Sequence, residues 1–130
     1  MKIIFVDDST IVLETLKSLV LDMIDSKMIV CDFISDSASV KKMIENETLE
    51  YDLMFVDINM PLVSGYDLAK SAKEIAKYKY KSIIAITSEF TDESKEVGEK
   101  AGIDGWFIKS IKQDSLQSSI VEAIKQLYKG

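Results

Sequence analysis

Five polar residues stand where short apolar runs end. Asp7 and Asp8 follow IIFV (3 to 6), Asp57 follows LMFV (53 to 56), Thr87 closes SIIAI (82 to 86), and Lys109 follows GWFI (105 to 108). The chain has no histidine, which removes imidazole as general base, metal ligand and phosphoryl carrier, so any chemistry runs on carboxylates, hydroxyls and lysines. Carboxylates crowded at one place repel one another and raise their own pKa values unless a cation neutralises them. Ligation by oxygen alone selects a hard divalent ion. Mg²⁺, which gives up its waters reluctantly, suits a site of two carboxylates, a carbonyl and water. Lys109, a point charge, can pair with a carboxylate at rest or with a phosphoryl oxygen, and Thr87 supplies a hydroxyl donor.

These residues need elements that bring them together. The runs at 3, 53 and 83 are apolar almost throughout, as parallel strands covered by helices on both faces are; MIVCDFI (28 to 34) and GWFI complete a set of five. Helical spacing fills the gaps. The first helix opens after Ser9 or Thr10 and runs through Val12, Leu13, Leu16, Leu19, Val20, Met23 and Ile24. Others are predicted at about 37 to 48, 65 to 77 and 91 to 101, the last of these capped by Thr91 or Asp92 and stopped near Gly102. A final helix carries Leu116, Ile120, Ile124 and Leu127 on one face, leaves Lys112, Lys125 and Lys129 to water, and ends at Gly130. The expected fold is α/β, (βα)5, a doubly wound five-stranded parallel sheet of flavodoxin-like type spanning 1 to 130 as one domain. Ligands of such sheets bind beyond the carboxyl ends of the strands, where all five polar positions fall.

Bulk properties narrow the partners. A net charge of −6 over 130 residues opposes direct nucleic-acid binding. Cys31 is the only cysteine, so a disulfide framework is excluded, a reducing compartment fits, and a packed core thiol is the simplest role. MKIIFVDDS turns acidic too early for a signal peptide or membrane span. A cytoplasmic location without membrane contact is expected. The basic, aromatic AKYKYKS stretch (76 to 82) reads as a solvated connection.

The set Asp7-Asp8, Asp57 within VDINMP, Thr87 within ITSE and Lys109 within GWFIKS closely resembles the receiver domains of bacterial two-component response regulators, of which the chemotaxis regulator CheY is the single-domain type. The resemblance spans essentially the whole chain. It implies that Asp57 accepts a phosphoryl group from the phosphohistidine of a sensor histidine kinase or phosphotransfer protein. It also implies that Asp8 and Asp57 ligate Mg²⁺ by carboxylate oxygens, Asn59 by its backbone carbonyl and Asp7 through water, while Thr87 and Lys109 bind phosphoryl oxygens. Catalysis would then be alignment plus stabilisation of charge on the transferring oxygens, a switch promoting its own phosphorylation and dephosphorylation rather than an enzyme acting on a separate substrate. Asn59 and Glu89 match positions that flank the path of the hydrolytic water, implying a short-lived phosphoryl group. Trp106 stands where receivers carry an exchangeable Tyr or Phe, making Thr87 and Trp106 the switch pair and the face of the fourth helix, fifth strand and fifth helix the output surface. The output partner is another protein, the flagellar motor for a stand-alone chemotaxis-type regulator. A phosphorelay intermediate and the receiver of a longer transcriptional regulator are the alternatives.

Other readings fit less well. Strand-end aspartates often merely cap the next helix, but Asp57 and Lys109 alongside weigh against that for Asp7 and Asp8. Haloacid-dehalogenase phosphatases place their nucleophile after the first strand in a DxD pattern, which is missing here. A flavodoxin or nucleotide-binding domain would need a glycine-rich phosphate loop after IIFV. Two local points depart from plain expectation. Lys109 is followed by Ser110 where most receivers have a cis-linked proline; a cis bond before a non-proline residue costs about 2.5 to 4 kcal/mol, so a trans or strained peptide is expected. In the turn after Asp57, Pro61 fixes its own φ and Gly65 is available for a positive φ.

Overall fold

The apolar runs form five strands, all pairing in parallel in the order β2-β1-β3-β4-β5. The computed structural model describes residues 1–88 and 90–128. In chain order the elements are β1 (Lys2–Val6), α1 (Thr10–Leu19), α2 (Leu21–Asp25), β2 (Val30–Ile34), α3 (Ser37–Glu45), β3 (Leu53–Asp57), α4 (Gly65–Lys73), β4 (Ser82–Thr87), α5 (Asp92–Ala101), β5 (Gly105–Ile108) and α6 (Gln113–Leu127). The expected doubly wound α/β architecture is therefore present. Lys129, Gly130 and Glu89 lie outside the described residues, and with them the expected helix end at Gly130.

Each face of the sheet is covered. On one side Ile4, Val6, Met54, Val56, Ile83 and Ala85 meet Val40 and Ile44 of α3 and Leu68, Ala69 and Ala72 of α4. On the other, Ile3, Phe5, Leu53, Phe55 and Ile86 meet Leu13 and Leu16 of α1, Met23 of α2, and Leu116 and Ile120 of α6. Alternation along each strand sends successive side chains to opposite cores, so strands covered on both sides read as unbroken apolar runs. Parallel register also stacks Phe33, Phe5 and Phe55 into a ladder, with centroids 5.0 and 4.9 Å apart, a cross-strand feature that only the sheet order creates.

The first helix is interrupted. α1 ends at Leu19, Val20 leaves helical geometry at φ −118 and ψ 10, and α2 restarts after it. The freed Leu19 carbonyl accepts Gln113 Nε2 at 3.3 Å and Gln117 Nε2 at 2.9 Å from α6, satisfying a helix-end acceptor that would otherwise need water. The apolar stripe continues across the break, so periodicity alone reads one helix.

The AKYKYKS stretch is a structural staple rather than a solvated connection. Tyr78 is fully buried, stacks on Tyr51 at 5.4 Å and donates to the Leu49 carbonyl at 2.8 Å, while Tyr80 is exposed. Cys31 lies half-buried on the edge strand β2, its thiol pushed up to about 12, chiefly by burial. It is a weak nucleophile. Among the described residues no helix is long and apolar enough to cross a membrane.

Candidate functional site

The strand order reverses direction between β1 and β3, and the crevice beyond their carboxyl ends is where such sheets bind ligands. Asp7 follows the last residue of β1 and Asp57 ends β3. Both are almost fully buried, at 2% and 3% exposure, whereas Asp8 faces solvent. One carboxylate oxygen from each of Asp7, Asp8 and Asp57 lies within 4.8 Å of the others. Asp7 Oδ1 accepts the Ser9 N–H at 2.9 Å, and the Ser9 hydroxyl caps α1 through the Val12 N–H at 3.3 Å. The same short turn thus orients Asp7 and starts the helix.

Lys109 reaches this cluster from the end of β5. Its ammonium is 3.3 Å from Asp7 Oδ2 and 3.4 Å from Asp57 Oδ2, and its backbone N–H donates to the Thr87 carbonyl at 2.8 Å. Asp7 Oδ2 has no well-directed hydrogen bond, so that ammonium carries its compensation. Asp57 Oδ1 accepts, among the described residues, a long bond of 3.4 Å from the Asn59 N–H. Burial, and then the neighbouring Asp7 charge, push the Asp57 carboxyl up to about 6; Lys109 and the Asn59 N–H pull the other way without cancelling them. Partial burial works to lower the Lys109 pKa, but Asp57 and Asp7 together outweigh it and hold the ammonium above the ordinary lysine value.

The donor set fits a hard cation. Three carboxylates cluster while the Lys109 ammonium pairs with only two of them, a buried oxygen lacks a directed partner, and every available ligand is oxygen. Thr87 is buried at the end of β4, Ser88 is exposed beside it, and Asn59 is exposed. Glu89 lies outside the described residues. Trp106 is half-buried on β5, between Phe90 and α5, rather than turned to solvent.

Two loops leave the crevice, one after Asp57 and one after Lys109. After Asp57, the positive φ falls on Leu62, at 69°, which is 94% exposed. Gly65 does not take it. Its role is close approach, since a Cβ there would lie 2.5 Å from the Asp57 carbonyl oxygen. Glycine lets α4 begin directly beneath Asp57, with Ser64 and Asp67 forming a reciprocal cap. After Lys109 the peptide is trans, and Ser110 has φ 85°, so the strain expected at this junction sits in the dihedral of Ser110. Phe90 and Gly98, which enclose Trp106, escaped the sequence reading; a glycine inside a helical segment was the available signal, since it weakens a helix unless something packs close.

The acidic, lysine-bridged pocket thus lies at the switch point of a doubly wound parallel sheet. The response regulator receiver domain model matches residues 3–121, and the chain belongs to that family: it is the receiver domain of a two-component response regulator, a phosphorylation switch. Among curated relatives, Stress response regulator protein 1 of Lodderomyces elongisporus is 32% identical over 127 residues, covering 96% of this chain and 34% of that protein. The Candida albicans protein of the same name is 30% identical, covering 93% of this chain and 42% of its own length. The chain thus spans about a third to two-fifths of these relatives. Chemotaxis protein CheY4 of Vibrio cholerae superposes with TM-score 0.80 at 23% identity, covering 94% of this chain and 97% of that one. The receiver domain of sensor histidine kinase PA1611 of Pseudomonas aeruginosa, solved with magnesium coordinated in its cleft, gives 0.79 at 19%, covering 95% and 96%.

Proposed function

We propose that Asp57 is the phosphoacceptor, taking a phosphoryl group from a histidine of a sensor kinase or phosphotransfer protein. The observation that supports it is the Lys109 ammonium bridging buried Asp7 and Asp57 at the switch point. An Asp57 oxygen forms the new bond to phosphorus, the bond from phosphorus to the donor nitrogen breaks, and the departing imidazole takes up a proton. Lys109 follows the charge from carboxylate to phosphoryl oxygen, and the Thr87 hydroxyl donates to another. Asp8, Asp57 and the Asn59 carbonyl would hold Mg²⁺ directly and Asp7 through water; bound there, the ion neutralises charge on the transferring oxygens. Asn59 and Glu89 would set a short phosphoryl lifetime, and a form stable for hours at neutral pH would contradict that.

The output reading is a cytoplasmic chemotaxis-type regulator whose receiver unit spans 1 to 130 and signals to a protein target, such as the flagellar motor, through α5, β5 and α6. These elements correspond to the fourth helix, fifth strand and fifth helix once the split of the first helix is counted. Placement as one module of a longer stress-response regulator or relay protein is favoured by a different observation, the 32% identity to a relative of which this chain spans 34%. The decisive experiment labels the protein with acetyl phosphate and Mg²⁺. Wild type is expected to incorporate phosphate only with the metal, and Asp57→Asn not at all. Undiminished labelling of the Asn variant sinks the assignment.

A further inference from the structure

The packing of Trp106 assigns a role to two residues outside the acidic crevice. Gly98 sits inside α5 and is buried. A Cβ there would fall 2.2 Å from Trp106 Cζ2 and 2.5 Å from Cη2, so the edge of the indole occupies the space a side chain would take. Phe90 lies against the same indole, with ring centroids 5.0 Å apart at 47°. Trp106 is therefore seated between a notch in α5 and a ring from the loop that leads into it.

Both partners connect to the site. Phe90 follows Thr87 by three residues, and Trp106 precedes Lys109 by three. The ends of β4 and β5 are joined by the Thr87 to Ile108 register and by the Lys109 N–H to Thr87 carbonyl bond at 2.8 Å. The first turn of α5 is tied in turn to α4, because Tyr66 Oη donates to the Ser94 carbonyl at 3.3 Å. The Lys109 ammonium lies on the carboxylates of Asp7 and Asp57. Phosphorylating Asp57 moves negative charge outward by a bond length onto phosphoryl oxygens. Lys109 and the Thr87 hydroxyl must follow it, and the ends of β4 and β5 that carry them are held through Trp106 and Phe90 to α5.

We propose that Gly98 and Phe90 form a seat for Trp106 that opposes this displacement, and so set the affinity of the Asp57 site for a phosphoryl group. They are positioning residues acting through Trp106. This rests on the phosphoacceptor reading of Asp57. By linkage, a substitution that loosens the seat tightens binding at Asp57 by the same factor by which binding at Asp57 loosens the seat.

The test uses the full chain with Mg²⁺ and beryllofluoride as the phosphoryl mimic, read by binding titration and by iodide quenching of Trp106, the only tryptophan. In wild type, the mimic is expected to change quenching. Gly98→Ala fills the notch and Phe90→Ala removes the opposing ring. Both are expected to raise quenching before the mimic is added and to bind it about 5- to 10-fold more tightly. A merely structural role for the seat would change melting temperature without changing that affinity. If both variants bind the mimic within twofold of wild type, or if quenching does not rise, the proposal is overturned. If circular dichroism shows Gly98→Ala unfolded, Phe90→Ala decides by the same criterion. Failure of wild type itself to bind beryllofluoride would be a failure of the phosphoacceptor reading, and the role of the seat would fall with it.

Discussion

The two ends of the sheet treat charge in opposite ways. At the amino ends of the strands every bridging lysine has an acid of its own. Lys73 pairs with Asp104 at 3.2 Å, Lys77 with Glu50 at 2.6 Å and Lys81 with Asp52 at 3.9 Å. The same ammonium groups donate to the carbonyls of Lys81, Glu47 and Tyr51 respectively. These lysines staple loop to loop, and Glu50, beside the ammonium of Lys77, sits below the usual carboxylate range. At the carboxyl ends three aspartates cluster around a lysine that bridges two of them, Asp7 and Asp57, and Asp57 is pushed up to about 6 by burial and by Asp7. One end uses charge to hold the fold together. The other concentrates an excess of one sign, the pattern of a functional site rather than of a structural staple.

The largest effect expected from breaking this contrast is at Asp57. Its pKa is raised from 3.8 to about 6, so the native state holds this proton more tightly than the unfolded chain. Stability that is present below the unfolded value is lost as pH rises through the folded one. In metal-free buffer Asp57→Asn should therefore be more stable than wild type by about 3 kcal/mol above pH ~7, the gain shrinking as pH falls and vanishing below about 4. Urea melts across that range check it; a gain independent of pH would show that Asp57 is not the strained group.

Next in size is the cation itself. Mg²⁺ at a hundredfold excess over its dissociation constant should stabilise wild type by about 2.7 kcal/mol, and Asp57→Asn by much less. A melting temperature indifferent to millimolar Mg²⁺, together with no heat of binding in calorimetry, would remove the metal site.

Smaller effects belong to the amino end. The Lys73 side chain fills the space over Gly102, where a Cβ would meet its Cγ at 2.4 Å, and its ammonium ties Lys81 to Asp104. Lys73→Ala should lower stability by about 1 kcal/mol, from lost packing of its stem as well as lost charge, measured by denaturant titration. Tyr51 is the exception among the described residues of this end. Its buried hydroxyl has no hydrogen-bond partner, so Tyr51→Phe should be neutral or stabilising by up to about 1 kcal/mol. A loss of that size would mean that the hydroxyl is satisfied after all.

Much of this was legible in the sequence, for a physical reason. A strand covered on both faces must be apolar at every position, so IIFV, LMFV and SIIAI announce themselves, and the polar residue that ends each run lies at a sheet edge by necessity. Caps are equally local: Ser9 before α1 and Thr91 before α5 accept the N–H groups expected of them. The break at Val20 was not legible, because the acceptor it frees is satisfied from α6, some ninety residues away.

The amino-acid sequence by itself determined which residue types arrive at the carboxyl edge, because alternation and helical period are local properties of the chain. Only the tertiary structure decided who meets whom there. The order β2-β1-β3 sets Asp7 beside Asp57, and β5 at the far edge sends Lys109 back across β4 to reach both. The turn after Asp57 takes its positive φ at Leu62 and spends Gly65 on close approach. Trp106 lies against a helix whose glycine makes room for it. Contacts of this kind depend on distances between elements, which pattern along a chain does not encode, and they turn a set of strand-end carboxylates into a site where Lys109 bridges Asp7 and Asp57 and where Asp57 is held at a raised pKa.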